Sequence, residues 1–257
     1  MLLVSLLLIG SVSQAKTLVI SDIDDTIKVS NILSKSRSAG SFFDDDSRFV
    51  GMAEIYQALQ NNISDIEFHY VSLAPKALMN EQHSDFLEEN GFPVTKLHMN
   101  SGIKQDPELK QKVIRGLLKY EHPDLVIFFG DNGQFDTIVY DQMTKEFPDI
   151  PAVSYIREAY SSLGESKYPT LPGQIGFVTS VEVTLDLISR QILPLSTYKG
   201  IQDIVYDRLQ KDDGSENFGR MVFPKWQDCR DFRWQWQVKN PPQKLITIMN
   251  AIEERCQ

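Results

Sequence analysis

Two carboxylates that stand two positions apart are the residues of this sequence best suited to chemistry. Asp22 and Asp24 occur in the segment Ser-Asp-Ile-Asp-Asp-Thr, which follows a short apolar, β-branched run ending at Ile20. In a tight turn beyond a strand, both side chains can face the same cavity. One carboxylate could then attack phosphorus while the other gives a proton to the leaving oxygen. The pattern therefore indicates nucleophilic and acid–base chemistry on a phosphate ester.

Polar residues also follow two other apolar runs of strand character. Ser72 closes the run 66–71, and Asp131 and Asp136 belong to the segment Gly-Asp-Asn-Gly-Gln-Phe-Asp after the run 125–129. Ligands of parallel α/β sheets bind beyond the carboxyl ends of the strands, so we expect these side chains to share one crevice with the first two carboxylates. Hard oxygen ligands without His or Cys favour Mg²⁺ over Zn²⁺. The sequence therefore predicts a magnesium site in that crevice, where Ser72 could hydrogen-bond a phosphoryl oxygen.

A lysine is expected to neutralise the remaining charge of the phosphate. A helix with a strong apolar face is predicted from Pro107, and the register of that face favours Lys110 as the phosphate-binding lysine. Lys104 and Lys112 stay open as alternatives.

Alternating strands and helices must position these residues. Apolar runs of strand length recur between helical patterns, which predicts βαβ units, a mainly parallel sheet and helices on both faces. We therefore expect an α/β fold, a Rossmann-like three-layer sandwich, over residues 16–196. The gaps between the chemically interesting segments are too short for a large lid domain, so the cap should be minimal. Residues 197–257 are predicted to be a small accessory segment packed on this domain.

Charge and the N-terminal composition restrict the partners and the compartment. The formal net charge of −9 disfavours sequence-independent nucleic-acid binding, which needs a positive face. Residues 1–15 are an apolar run followed by small residues at Ser13 and Ala15, which is typical of a signal peptide. We expect export, periplasmic or secreted, after cleavage near Ala15, with no transmembrane segment in the mature chain. The alternative is a hydrophobic strand or an uncleaved anchor.

The C-terminal section carries two further patterns. Cys229 and Cys256 could form one disulfide in an exported protein or stay as two buried thiols. Polar residues alternate with apolar ones at four positions, which predicts a strand with a buried aromatic face or, alternatively, a patch at a lipid surface; these apolar positions are Phe232, Trp234, Trp236 and Val238. A closing amphipathic helix is predicted around Leu245–Ile252.

Other charged groups are predicted to be structural. Arg157 is expected to end a strand in a surface ion pair, with a phosphate contact as the alternative. Asp44–Asp46 reads as a solvated loop that could touch substrate. The four histidines show no ligand spacing and receive no role.

The motifs resemble those of the haloacid-dehalogenase superfamily of phosphohydrolases. Asp22-Ile-Asp-Asp-Thr is similar to its first motif D-x-D-x-T, Ser72 stands at its second motif, and Asp131 with Asp136 is similar to its fourth motif G-D-x-x-x-x-D. The resemblance implies that Asp22 is the nucleophile and Asp24 the general acid and then base. It places Mg²⁺ on Asp22, the Asp24 backbone carbonyl and Asp131, with Asp136 in support.

Longer segments are similar to one branch of that superfamily, the phosphatidate phosphatase catalytic domains of the actin-patch-associated type, distantly related to lipins. The similar segments are Ile20–Ile27, Val50–Tyr56, Phe68–Ser72, Phe129–Asp136 and Tyr155–Arg157. The resemblance implies hydrolysis of phosphatidate, at a membrane surface, to diacylglycerol. Members often carry Ser-Pro-Trp after the second-motif serine, where this chain has Leu-Ala-Pro-Lys. The alternatives are a phosphatase of soluble or protein phosphate esters and a non-catalytic phosphatidate-binding module.

Overall fold

The apolar run before Asp22 forms a fully buried strand, β1 (Thr17–Ser21), in this computed structural model. Residues 15–33, 47–102, 106–164, 166, 168–211 and 220–257 are described by the structure. The predicted signal peptide (apart from Ala15), Lys104 and Asp44–Asp46 lie outside these residues. Side chains of β1 alternate between two apolar clusters, Val19 in one and Leu18 and Ile20 in the other. Both faces of the sheet are therefore covered, as expected for an α/β sandwich.

Six strands form one sheet in which every neighbouring pair is parallel, as the sequence predicted. Its order is β4-β3-β1-β5-β6-β7, and a separate parallel pair joins β2 to β8. The strands after β1 are β2 (Arg48–Phe49), β3 (Ile66–Pro75), β4 (Lys96–Asn100), β5 (Leu125–Asp131), β6 (Ala152–Arg157), β7 (Ile175–Phe177) and β8 (Arg220–Met221).

β1 lies inside the sheet, and later strands of the chain lie on both sides of it. β3 and β4 follow on one side, and β5, β6 and β7 follow on the other. The strand order thus reverses at β1, and a crevice opens at the carboxyl end of such a switch point. The first residue after β1 is Asp22.

Helices cover both faces of the sheet and complete the three layers. One face carries α1, α2, α5, α6 and α7, and the other carries α3 and α4. The helices are α1 (Met52–Asn62), α2 (Lys76–Glu89), α3 (Leu109–Glu121), α4 (Asp136–Glu146), α5 (Ser180–Ser189), α6 (Ser196–Leu209) and α7 (Gln243–Arg255). Between β1 and α3 the described elements are only β2, α1, β3, α2 and β4. Among the described residues no helix combines the length and the apolar character that a membrane span requires.

The C-terminal helices share the core of the sheet. Ile201 of α6 and Leu245 and Ile248 of α7 belong to the same apolar cluster as Val19 of β1. A disulfide joins Cys229 to Cys256, the first of the two alternatives for these cysteines. The helix expected near Leu245 is confirmed as α7, whereas a domain boundary near residue 196 stays a prediction.

The strand predicted over the alternating aromatic residues is wrong. The chain from Phe232 to Val238 is irregular, although Trp234 and Trp236 are partly buried against the core. The Trp234 indole Nε1–H donates to the Trp236 carbonyl at 2.7 Å, and the two rings meet edge to face. Aromatic burial here is met by local ring contacts, and no described strand pairs with this segment.

Candidate active site

Asp22 lies at the switch point of the sheet. Its backbone N–H donates to the Phe129 carbonyl at 2.9 Å, and the preceding Ser21 pairs with Tyr70 and Phe129 in the strand register. This pairing fixes Asp22 between the ends of β3 and β5. Its side chain is buried, and the Thr26 hydroxyl donates to Asp22 Oδ2 at 3.4 Å.

Three buried carboxylates meet at this point. Asp22 follows β1, Asp131 ends β5 and Asp136 begins α4, and one oxygen from each lies within 4.8 Å of the others. Asp131 Oδ1 accepts the Gly133 N–H at 2.6 Å, while Oδ2 is buried without a hydrogen-bond partner among the described residues. An orphaned carboxylate oxygen beside two further carboxylates fits a hard divalent cation such as Mg²⁺.

Lys110 holds two of these carboxylates. It lies in the first turn of α3, is 2% exposed, and donates from Nζ to Asp22 Oδ1 at 2.8 Å and also to Asp136 Oδ1. Lys110, Ile114 and Leu118 are the buried residues of α3, so the lysine favoured by the helical register lies on the buried face, and its binding of phosphate stays a prediction. Lys112 instead lies at the surface and pairs with two exposed carboxylates.

Burial and mutual repulsion set the protonation of the cluster. Burial raises the pKa of Asp22 to about 7, against the lowering effect of Lys110, and the Asp136 carboxylate raises it further. Burial likewise holds the pKa of Asp131 well above its ordinary value, and the neighbouring carboxylates add to the shift. Burial alone would lower the pKa of Lys110, but Asp136 and Asp22 outweigh it and raise that pKa. The site is thus short of positive charge, which a divalent cation would supply.

Asp24 stands apart from the three-carboxylate group. The Ser30 hydroxyl donates to Asp24 Oδ1 at 2.6 Å, and His83 Nε2 lies 3.3 Å from Asp24 Oδ2. Burial would raise the pKa of Asp24, but His83 and Ser30 outweigh it, and the pKa is lowered. The expected contribution of the Asp24 backbone carbonyl to a metal stays a prediction.

Ser72 lies two residues beyond Tyr70, the β3 partner of Ser21, and is therefore at the same edge of the sheet as Asp22. β3 does not end at Ser72, as the sequence suggested, but continues to Pro75. The pairing with β4 shifts register after Ser72, and the Ser72 Oγ accepts the Ala74 N–H at 3.1 Å. Such an irregularity re-aims a side chain at the rim of a sheet.

Gly130 lets Asp136 approach the end of β5. A Cβ atom on Gly130 would lie 2.6 Å from Asp136 Cβ and 2.7 Å from the Tyr140 ring. Asp136 Oδ2 also accepts the Asp131 N–H at 3.3 Å. The close packing of α4 on β5 thus requires the glycine before Asp131.

Two residues that the sequence reading passed over order the surrounding loops. Asp25, at a φ of 57°, accepts the backbone N–H groups of residues 30–32 and the Tyr160 hydroxyl. Asn132 accepts the N–H groups of Ala159 and Tyr160 and donates to Glu158 Oε2 at 2.7 Å. Polar residues directly beside the motif carboxylates were the available signal for both.

The surface ion pair predicted for Arg157 is wrong, whereas the alternative, a phosphate contact, stays a prediction. The side chain is 1% exposed, with its guanidinium 3.6 Å from the Phe49 ring centroid and 4.5 Å from that of Phe177. Its Nε–H donates to the Thr26 carbonyl at 2.9 Å. The side chain ties β6 to the turn that follows Asp22.

Solved structures of known proteins are only weakly similar to this chain. A chain of the Pnkp1/Rnl/Hen1 RNA repair complex is 14% identical with a TM-score of 0.38, over 55% of this chain and 43% of that one. UDP-GlcNAc 2-epimerase from Neisseria meningitidis is 14% identical with a TM-score of 0.38, over 78% of this chain and 56% of that one. The chain thus spans about half the length of these structures, and likenesses this weak say nothing about its activity. No curated protein matches the chain significantly.

The sequence of the chain matches one protein family over most of the sheet. The family described as "Phosphatidate phosphatase APP1, catalytic domain" matches residues 17–158. The matched segment is more than half of the chain and includes Asp22, Lys110, Asp131 and Asp136. The chain therefore belongs to this family of phosphatase catalytic domains.

Proposed function

We propose that this phosphatase depends on Mg²⁺ and hydrolyses phosphatidate to diacylglycerol and inorganic phosphate through an aspartyl-phosphate on Asp22. The observation that carries the proposal is the meeting of Asp22, Asp131 and Asp136 around Lys110, at the switch point of a parallel sheet. With a divalent cation bound, a cluster of this kind can hold an anionic phosphate against an anionic nucleophile.

Asp22 is the carboxylate best placed to attack. Asp22 follows β1 directly. Lys110 donates to its Oδ1 and the Thr26 hydroxyl donates to its Oδ2, and these contacts fix the orientation of the carboxylate. Asp22, Asp131 and Asp136 would hold the Mg²⁺, which supplies charge neutralisation for the phosphoryl group. Lys110 favours the ionised, nucleophilic form of Asp22 against the effect of burial, a bound cation would favour it further, and Ser72 is proposed to hydrogen-bond a phosphoryl oxygen.

Asp24 is the group proposed to move protons. As an Asp22 oxygen bonds to phosphorus, the ester P–O bond breaks, and Asp24, whose protonated form the negative charge of the bound phosphate would favour, gives its proton to the leaving alcohol oxygen. In the second step Asp24 takes a proton from water, the water oxygen bonds to phosphorus, and the Asp22–phosphate bond breaks. Both carboxyl groups return to their starting states, and phosphate leaves.

The lipid substrate is supported by the family and by the surface around the site. Four large apolar side chains are at least 37% exposed in the loops and first helical turns at the carboxyl edge of the sheet. They are Leu78 after β3, Phe135 and Ile138 after β5, and Leu163 after β6. With only short elements between the motif segments, this edge would admit a phosphate group that stays attached to a bilayer.

Phosphate release from phosphatidate in mixed micelles tests the proposal. We expect Mg²⁺-dependent release by the wild-type protein and none by Asp22→Asn, which removes the nucleophile while preserving shape. Asp149→Asn, in an exposed turn, is the matched control and should retain full activity. Unchanged activity in Asp22→Asn would reject the nucleophile, and activity on p-nitrophenyl phosphate alone would reject the lipid substrate.

The compartment is also a proposal. Disulfides persist in oxidising compartments, so the Cys229–Cys256 bond supports an exported protein. Fractionation of cells that express the chain, with detection in the periplasm or medium, tests this; retention in the cytosol would contradict it.

A further inference from the structure

His83 is a buried histidine on a helix face that otherwise packs in the core. The buried residues of α2 are His83, Phe86 and Leu87, which share one face by helical spacing. The His83 ring is fully buried. Burial of an imidazole costs free energy unless the ring makes a polar contact, whereas an aliphatic side chain could fill the same space without that cost. Its position therefore calls for a reason beyond packing.

The ring of His83 reaches a group in the site. Nε2 lies 3.3 Å from Asp24 Oδ2, and the other Asp24 oxygen accepts the Ser30 hydroxyl at 2.6 Å. The Asp24 carboxyl thus accepts a hydrogen bond at one oxygen and has the imidazole at ion-pair distance from the other. Its side chain nevertheless stays 23% exposed, against 8% for Asp22 and 0% for Asp136. Asp24 therefore contacts the protein at both oxygens while part of its side chain stays accessible to solvent.

We infer that His83 is a positioning residue that holds the Asp24 carboxyl in line with the leaving oxygen of the substrate. The inference rests on the proposed function, in which Asp24 protonates that oxygen. Proton transfer needs heavy atoms within about 3 Å, and a misplacement of about 1 Å can reduce a rate about 100-fold. Without His83, the Asp24 side chain would be free to turn about its χ angles, with Ser30 as its remaining anchor.

Leaving-group basicity separates this role from a packing role. Nitrophenolate is a weak base and leaves without a proton, whereas phenolate and an alkoxide depend increasingly on the acid. The ratio of kcat/KM for p-nitrophenyl phosphate to that for phenyl phosphate therefore reports how well Asp24 delivers its proton. Because both quantities are kcat/KM values, their ratio depends only on the steps up to departure of the alcohol.

Three variants apply this test. His83→Leu keeps the volume of the side chain but removes the contact with Asp24, and we expect the ratio to rise about tenfold. His83→Gln places an amide nitrogen near the former Nε2 and should restore most of the wild-type ratio. Phe86→Leu, on the same buried face, is the matched packing control: it should lower thermal stability without changing the ratio.

A double mutant checks that the effect passes through Asp24. In an Asp24→Ala background, His83→Leu should leave the ratio unchanged, because the group it positions is already absent. A ratio equal to wild type in His83→Leu, or a Gln variant no better than the Leu variant at equal thermal stability, would overturn the inference. Wild-type protein that releases no phosphate from any of these esters would count against the proposed function instead.

Discussion

Lys110 Nζ lies 2.8 Å from Asp22 Oδ1, although the two residues are 88 positions apart in the sequence. The same ammonium also contacts Asp136, so one cation joins the ends of β1 and α4 from the first turn of α3. All three side chains are at least nine-tenths buried. A buried cation between two carboxylates serves both the stability of this edge of the sheet and the charge of the proposed nucleophile.

Removal of this cation should impair catalysis strongly. Lys110→Met keeps the length of the side chain but leaves two buried carboxylates facing each other. We expect kcat for phosphate release to fall about 100- to 1000-fold, the effect of losing one preorganised electrostatic contact. Without Mg²⁺, urea unfolding should show a loss of about 3–5 kcal/mol. Lys112→Met, at an exposed position two residues further along α3, is the control, and equal effects of the two substitutions would contradict the assignment.

Binding of Mg²⁺ should raise the free energy of unfolding of the protein as well as its phosphatase activity. A ligand at 100 times its Kd adds about 2.7 kcal/mol to the free energy of unfolding, so MgCl₂ should raise Tm. Asp131→Asn removes one charge of the cluster but can keep the Oδ1 contact with the Gly133 N–H. In EDTA this variant should melt above the wild type, because a buried like charge is gone, and its Tm should respond much less to MgCl₂. NaCl at equal ionic strength controls for screening.

Local patterns in the sequence predicted what local physics controls. The apolar runs of β1 and β5 and the register of α3 are short-range properties, and Asp22, Asp131 and Lys110, which they singled out, do lie at one edge of the sheet. The contact between His83 and Asp24 was not predicted. Asp24 lies 59 positions earlier, outside α2, and no pattern in the sequence of α2 indicates the contact. Phe232–Val238 alternates like a strand, but alternation cannot show whether a neighbouring strand is present to pair with its backbone.

Arg157 shows the same limit for a charged residue. Its position after an apolar run suggested an exposed end of a strand, yet Phe49 and Phe177 enclose the guanidinium. Both rings come from separate strands, β2 and β7. Burial lowers the pKa of Arg157 to about 9, opposed by nearby acidic groups that include Glu182. Only the assembled fold brings the rings and acidic groups around this side chain.

Position 130 should not tolerate a side-chain methyl group in place of the hydrogen of Gly130. In Gly130→Ala the new Cβ would meet Asp136 Cβ at 2.6 Å, so α4 must shift or Asp136 must turn. Overpacking of this kind costs about 1–3 kcal/mol in the free energy of unfolding, and the displaced Asp136 should lower phosphate release. Gly116→Ala, at a helical position with nothing within 4 Å of its new Cβ, is the control and should be neutral or slightly stabilising. A fully active Gly130→Ala protein would show that phosphate release does not require the close approach of Asp136 to Gly130.

Glu158 should make stability fall as pH rises through neutrality. The side chain is 4% exposed, and burial raises its pKa from 4.5 to about 7, with the Thr170 hydroxyl opposing the shift. Between these two pKa values the unfolded chain has lost the proton that the folded chain keeps. The contribution of Glu158 to the free energy of unfolding is therefore fully present below pH 4.5 and is lost by about pH 7, a change of about 3 kcal/mol.

Glu158→Gln isolates this contribution. The amide can accept from Asn132 and donate to the Thr170 hydroxyl, so both contacts survive without a titrating proton. Urea unfolding at pH 5.5 and pH 8 should show a smaller decrease for the variant than for the wild type, and the variant should be the more stable protein at pH 8. Equal decreases in the two proteins would mean that Glu158 is ionised throughout this range. In that case Asn132, which fixes the loop beside Asp131, would be held by a charged acceptor.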